Sequence, residues 1–470
     1  MILKYKRLDK KDIENLRGFV TPDRFSTGES VLSLHSRDQS GHLPVLPEAV
    51  LWPVDEEEVV KILQYANGHI IPVTGWGSGS SLEGNPIPVQ RGIVLDFSQM
   101  NKILEIREED FQVDVEPGVI YKELNKKLRY KGIFFPPDPG ADATIGGMIA
   151  NNSSGTRTVK YGSTRDNILR LSVVLANGEV IRTGTRASKT SSGYDLVNLF
   201  TGSEGTLGII TGATLRLTGL PAEFSAVIVT FPSVNAAGKA VFEIIRSGLD
   251  PAALELLSPE CVKLINIERG MGLSEMPTLF IDYHGPSQSY LTDIREITWE
   301  LCNANGCIDF KTGMGREERN NFLSARHDLS EMITRNHPGY SFLSGDSAVP
   351  ISAYPEIIAM AREEVEKNNV TAYIFSHAGD GNLHVKFAGR KENKQEWKLI
   401  HEINHKIVSK AISLGGTATG EHGVGIGKRD FMSEEHGDAL ILMKRIKQLF
   451  DSNNILNPGK IFPEDDISML

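Results

Sequence analysis

Cysteine is nearly absent: the 470 residues hold only Cys261, Cys302 and Cys307. Their spacing fits neither an iron–sulfur ligand set nor a CxxC redox pair, so they read as packing residues. No apolar run approaches the length of a membrane-spanning helix. The start, MILKYKRLDKKDIENLRGF, lacks the apolar centre of a signal peptide. A cytoplasmic location is therefore expected, with peripheral attachment to a membrane through partner proteins left open. Basic runs with interleaved aromatics are missing too, and the formal net charge is −10, which argues against nucleic acid as a partner. Low-complexity tracts and internal repeats are not found.

The chain is too long for one hydrophobic core, so two domains with a small third piece are expected. Asp55 and Glu58 ahead of Val59, Val60, Ile62 and Leu63 predict a capping box opening an amphipathic helix. A strand, HIIPVT, and further strands in RGIVLDF and FQVDVEP follow, then a helix from Tyr121 to Tyr130 closed by Gly132. Asn177-Gly178 between two apolar runs predicts a hairpin with a type I′ turn. From about Pro221 short strands alternate with helices (AVIVTF, LDPAALELL, TLFIDYHG, CIDFKTG). That pattern predicts an α+β domain of ferredoxin-like kind with helices on one sheet face. The expected division is 1–221, 222–425, and a closing helix and tail over 426–470.

Glycine is where the chemistry first shows. Thr74-Gly75-Trp76-Gly77-Ser78-Gly79-Ser80-Ser81 follows a strand, and its alternating glycines and hydroxyls suit a backbone nest for a pyrophosphate. It is not a Rossmann fingerprint: the third glycine is misplaced, and Pro86 and Pro88 prevent the helix that should follow, which discounts Asp96 downstream as a ribose ligand. A second loop runs from Pro139 and Gly140 through Thr144-Ile145-Gly146-Gly147 into IANNSSGTRTVKYGSTRDNI, and a third spans Gly202 to Thr211. One such loop is usually only a turn. Three in one domain ask for a ligand.

These loops resemble the FAD-linked oxidase family with a vanillyl-alcohol-oxidase-type (PCMH-type) flavin domain, in particular bacterial glycolate oxidase catalytic subunits and D-lactate dehydrogenases. The likeness runs over nearly the whole chain. It implies an α+β fold: a two-lobed PCMH-type FAD-binding domain, a ferredoxin-like cap for the substrate, and a C-terminal helical tail returning to the flavin. By resemblance, Gly75, Gly77, Ser78, Gly79, Ser80 and Ser81 grip the FAD pyrophosphate. Thr144, Ile145, Gly146, Gly147, Asn151, Ser154 and Gly155 line the flavin and ribityl chain, and Pro139 and Gly140 ahead of them belong to the cofactor set. Gly208 and Ile210 approach the adenine side, and Tyr161, Gly162, Glu204 and Asn457 complete the cofactor set. The first loop has no His or Cys, so FAD is expected without a covalent link.

His377 and His384 flank Asp380-Gly381 in SHAGDGNLHV. A type I′ turn there would pair them directly across a hairpin, close enough for both rings to meet one metal ion; two hairpin histidines with no ligand is the plainer alternative. Glu421 and His422 follow in GGTATGEHGVG. In an extended segment they would point opposite ways, Glu421 toward a two-histidine, one-carboxylate site and His422 elsewhere, free to exchange protons. The resemblance implies the same roles: His377, His384 and Glu421 hold a divalent metal (zinc, manganese or iron), and His422 is the base. It also makes Arg326, in SARHDL, the clamp for a substrate carboxylate. Lys386, two positions beyond His384, is a second candidate contact. Relatives that take a dicarboxylate carry a basic residue where this chain has Ser344, ahead of Asp346. A small monocarboxylate, glycolate or D-lactate, is therefore the expected substrate, with electrons leaving to a second flavin subunit and an iron–sulfur subunit.

Three other functions compete. His401-Glu402-Ile403-Asn404-His405 matches the zinc-peptidase signature HExxH. The apolar stripe Trp397, Ile400, Ile403, Ile407, Ala411, Leu414 leaves both histidines on its flank, however, and predicts surface residues. A non-catalytic flavoprotein subunit would not need the metal set and His422. A transferase on the same fold, using FAD without net oxidation, fits Arg326 and HAGDGNLH less well.

Overall fold

The structure is a computed structural model in which residues 5–463 are described. The chain forms two compact units: residues 1–154, 163–220 and 421–470 make one, residues 155–162 and 221–420 the other. No helix among the described residues is long and apolar enough to cross a membrane.

The first unit carries two main sheets. Phe25–Ser26 (β1), Ala49–Leu51 (β2), Val73–Trp76 (β3) and Ile93–Asp96 (β4) order as β1-β2-β4-β3, with β4 parallel to both β2 and β3. The helix Glu56–His69 buries Val59, Ile62, Leu63 and Ala66. Asp55 accepts from the Glu58 N–H as expected, at 2.9 Å. The Glu58 carboxylate instead accepts from Val54 N and pairs with Arg24, so only half of the capping box forms. Ile103–Arg107 (β5), Gln112–Val115 (β6), Ile168–Val174 (β8), Val180–Gly184 (β9) and Ile209–Arg216 (β10) form an antiparallel sheet in the order β5-β6-β10-β8-β9. A short ribbon pairs Ile133–Phe134 (β7) with Thr218–Gly219 (β11).

The β8–β9 hairpin exists, but its turn is wider than expected. Only Gly178 has positive φ (82°), and Leu175 N bonds Glu179 O while Gly178 N bonds Leu175 O. The left-handed residue thus follows the turn rather than both central residues being left-handed. The C-terminal tail does return to this unit: Val73 N bonds Ile455 O and Asn457 N bonds Val73 O, both at 2.8 Å, which lays Leu456 parallel beside β3.

The second unit is a seven-stranded antiparallel sheet. Glu223–Thr230 (β12), Ala253–Leu257 (β13), Thr278–Gly285 (β14), Asp309–Met314 (β15), Tyr340–Ala348 (β16), Ala372–His377 (β17) and Asn382–Arg390 (β18) order as β15-β12-β14-β13-β17-β18-β16. Helices cover both faces rather than one. Val227, Val229, Leu254, Leu256, Leu279 and Ile281 pack with helices such as Val234–Arg246 and Tyr354–Asn368. The alternate residues Ile228, Leu257, Phe280 and Phe375 pack with Pro259–Arg269, Gly315–His327 and Leu329–Asn336. A strand apolar at both parities cannot leave a face in water.

Candidate active site

In the first unit the glycine loops converge on an open cleft. Gly75, Gly77, Ser78, Gly79, Ser80, Ser81, Pro139, Thr144, Gly147, Asn151, Ser154, Glu204 and Asn457 all line it, and so do Glu421 and His422. Thr144 caps the helix Ile145–Asn151 by accepting from Gly147 N at 3.2 Å. A Cβ on Gly77 would stand 2.3 Å from the Thr144 Oγ1, so the first two loops approach as closely as glycine alone allows. Other expected contacts sit away from the lining. Ile145 N and Gly146 N are spent on Val119 O and Pro117 O. Ile210 is buried in the core, and Gly208 packs against Val173. Gly155, Tyr161 and Gly162 belong to the second unit. Asn85 and Met148, which no motif pointed to, line the cleft.

Glu204 organises the turn that bears His422. Fully buried, its carboxylate accepts from Val424 N, Gly425 N and Asn85 Nδ2. Burial raises its pKa despite those donors. Asn457 donates to Asn85 O and Glu204 O at 3.0 and 2.8 Å, and Asn151 Nδ2 lies 3.3 Å from His422 O. Glu421 and His422 are not opposed, as an extended segment would make them. Both face the cleft, with Glu421 Oε1 3.9 Å from His422 Nε2. Gly423 and Gly425, at φ 80° and 49°, bend the backbone there. His422 Nδ1 lies 3.5 Å from Glu83 Oε1, a buried carboxylate that the sequence did not single out.

The second unit gathers polar residues along one sheet face. His377 and His384 come together, their ring centroids 5.1 Å apart and planes at 89°. They are not direct cross-strand partners: His377 pairs with Asn382 and Phe375 with His384, because the connection is a 3₁₀ turn over Ala378–Asp380 ended by left-handed Gly381. The register moves by an even step, so both rings keep the same face. Directly opposite His377 on β13 stands Glu255. Its Oε1 is 2.8 Å from His377 Nδ1, and its Oε2 is 2.8 Å from Arg326 Nε. Burial would raise the Glu255 carboxyl, but His377 and Arg326 outweigh it and hold the pKa below the ordinary range.

A parallel group occupies β14. Asp282 accepts from Arg319 Nε at 2.9 Å and pairs with His284 Nε2 at 3.0 Å, while Tyr161 Oη lies 2.7 Å from His284 Nδ1. Burial lowers the pKa of His284 and pushes that of Tyr161 up to about 12. Arg319 and Arg326 stand seven residues apart on one helix. With Thr156, Arg157, Glu255 and Asp282 they line a small polar pocket. Glu255, Asp282 and His284 carried a legible signal: charges inside ALELL and LFIDYH, where a strand apolar on both sides must bury them and therefore pair them.

Lys386 shares the His384 face, and its ammonium donates to Ser330 O, Ser330 Oγ and Thr334 Oγ1. Three acceptors complete its donor set, so an anion reaching it must displace one. Burial draws its pKa down to about 8. His401, Glu402 and His405 are exposed along the helix Lys394–Ser413, whose buried side is Ile400, Ile403, Ile407 and Ala411, as the stripe predicted.

Residues 47–184 match the family model for an FAD binding domain, and residues 220–461 match that of FAD linked oxidases, C-terminal domain. Fold and cleft are thus those of an FAD-dependent oxidoreductase. The chain belongs to the FAD-linked oxidase family. It is 38% identical over 453 residues to the Danio rerio protein named "Probable D-lactate dehydrogenase, mitochondrial", covering 96% of this chain and 91% of that one. It is 36% identical over 461 residues to glycolate oxidase subunit GlcD of Bacillus subtilis (strain 168), covering 97% of each. Among solved structures, p-cresol methylhydroxylase superposes with a TM-score of 0.79 at 19% identity, covering 99% of each chain. The 4-ethylphenol oxidase from Gulosibacter chungangensis gives 0.79 and 19%, covering 96% of this chain and 97% of that one. At those identities the likeness concerns the fold alone.

Proposed function

We propose that this chain oxidises a small 2-hydroxy acid, glycolate or D-lactate, to the 2-oxo acid. The observation that carries the reading is the lining of one cleft by both the glycine loops and His422. The donor set fits FAD: backbone approach at Gly77, hydroxyls on Ser78, Ser80 and Ser81, and no cysteine or histidine in the loop to tether it. Bound there, FAD would supply the two-electron acceptor for the hydride lost from the α-carbon. His422 takes the hydroxyl proton, so one proton and one hydride leave together and the carbonyl forms. Arg326 clamps the carboxylate through its guanidinium fork. His377, His384 and Glu421 are the residues that would hold a divalent metal, a Lewis acid able to lower the hydroxyl pKa; the buried imidazole pair is of the donor type such an ion takes. A second flavin subunit and an iron–sulfur subunit are the proposed electron acceptors. The names of the relatives support a 2-hydroxy acid of this size, and Ser344 in place of a basic residue favours a single carboxylate.

The test is dye reduction by the purified holoprotein. Glycolate or D-lactate should bleach the bound flavin and reduce an artificial acceptor, and a chelator should slow turnover. No bleaching by any 2-hydroxy acid at full FAD occupancy would reject the reading.

A further inference from the structure

The two residues proposed to meet the substrate's carboxylate and the metal share one buried carboxylate. Glu255 is fully buried in the middle of β13. Each of its oxygens serves a different partner, Oε1 the Nδ1 of His377 and Oε2 the Nε of Arg326, both at 2.8 Å. We propose that Glu255 is a positioning residue that sets the tautomer of His377 and holds the Arg326 guanidinium beside it by charge. This inference rests on the proposed roles of those two residues.

The argument is one of donors and acceptors. An ionised carboxylate has no hydrogen to give, so the hydrogen between it and His377 sits on Nδ1. Nε2 is then the nitrogen that carries the lone pair, which is the form a metal requires. On the other side Glu255 Oε2 forms an ion pair with Arg326, 2.8 Å from Nε, and the guanidinium lies over the Phe375 ring at 4.9 Å. The ion pair and the ring together hold the guanidinium charge in place beside β13. Direct cross-strand pairing of Glu255 with His377 leaves little slack in the arrangement.

The same sheet contains a natural control. Asp282 likewise joins an arginine, Arg319, to a histidine, His284, but there Tyr161 meets the other ring nitrogen. Both carboxylates are fully buried and both pair an arginine of the same helix, so neutralising either should disturb stability alike. Only Glu255 should govern metal binding.

The experiment compares Glu255→Gln, Glu255→Asp and Asp282→Asn in the FAD-loaded protein. Chelated protein is titrated with manganese or zinc, and KM and kcat are read separately. In Glu255→Gln one amide end must face a donor. Metal affinity should fall by about 10- to 100-fold, the usual effect of removing a carboxylate behind a ligand histidine. KM should rise as the Arg326 fork loses its anchor, with FAD content unchanged. Glu255→Asp, shorter but still charged, should fall between wild type and Gln, and it carries the test if the Gln variant does not fold. Asp282→Asn should keep wild-type metal affinity. Wild-type affinity and KM in both Glu255 variants, while the parent chain binds metal, would overturn the inference and leave the proposed function standing. A parent chain that binds no metal and turns over no hydroxy acid would remove the proposed function and this inference with it.

Discussion

Glu204 grips the backbone N–H of Gly425 with both carboxylate oxygens, at 3.2 Å from Oε1 and 2.9 Å from Oε2. The same carboxylate takes Val424 N at 2.6 Å, and a Cβ on Gly423 would sit 2.9 Å from it. The turn after His422 is therefore tied to the loop that begins at Gly202. Glu204→Gln should cost about 1–3 kcal/mol by leaving a buried N–H opposite an amide NH₂. Because the tie acts on the backbone beside His422, the proposed base, turnover should fall by at least about tenfold. Thermal melting and dye reduction measure the two effects, and a variant with wild-type turnover would show that His422 is held by other contacts.

Gly77→Ala should lose FAD. Its Cβ must displace Thr144 Oγ1, which costs the helix cap about 1 kcal/mol and pushes the two loops apart. Flavin absorbance relative to protein reports occupancy. Thr144→Ala in the same chain removes the clashing oxygen and should restore part of the loading, a coupling expected of residues in contact. Full occupancy in the single variant would mean the cofactor does not depend on that close approach.

His422→Ala should keep the flavin spectrum and lose turnover by about 10²- to 10⁴-fold, the range for a positioned general base. Activity within a few-fold of wild type would move the base elsewhere.

Lys460 predicts a pH dependence. It is fully buried, donates to Ile87 O at 2.5 Å and Asn457 Oδ1 at 3.1 Å, and burial draws its ammonium down to about 7. Unfolded, it titrates near about 10.4. Between these values the unfolded chain binds the extra proton, so this contribution is fully present above the unfolded value and is lost as pH falls toward about 7. The melting temperature of wild type relative to Lys460→Met should therefore climb from about pH 7 to about pH 9. The limiting slope is about 1.4 kcal/mol per pH unit. A difference that stays flat across that range would contradict a neutral buried amine.

Much of the cofactor cleft was legible because it depends on short-range backbone needs. Glycines at Gly77 and Gly79 are local demands that a linear reading can see, whereas Thr144 and Asn457 are reached only through the family resemblance. Turn geometry was read less well. Asp380-Gly381 and Asn177-Gly178 both looked like two-residue I′ turns, yet the first residue of each pair is not left-handed. Such a dipeptide also suits longer turns that place only glycine at positive φ, and tertiary packing chooses between them. Glu83 has no such signal, because a single carboxylate in a loop has no period or spacing of its own, whereas Glu255 is marked only by being a charge inside the apolar strand ALELL.

By itself the sequence determined the class: a glycine-loop FAD-linked oxidase fold, which histidines are candidates for the chemistry, and that the HExxH histidines face water. Only the tertiary structure decided that Glu255 stands opposite His377, that Asp282 repeats the pattern with Tyr161 at its end, and that Lys386 is occupied by Ser330 and Thr334. The reason is physical. Backbone conformation is set within a few residues, whereas the partner of a buried charge is chosen by strand register and helix docking, 52 positions away for Lys386 and Thr334 and 122 for Glu255 and His377.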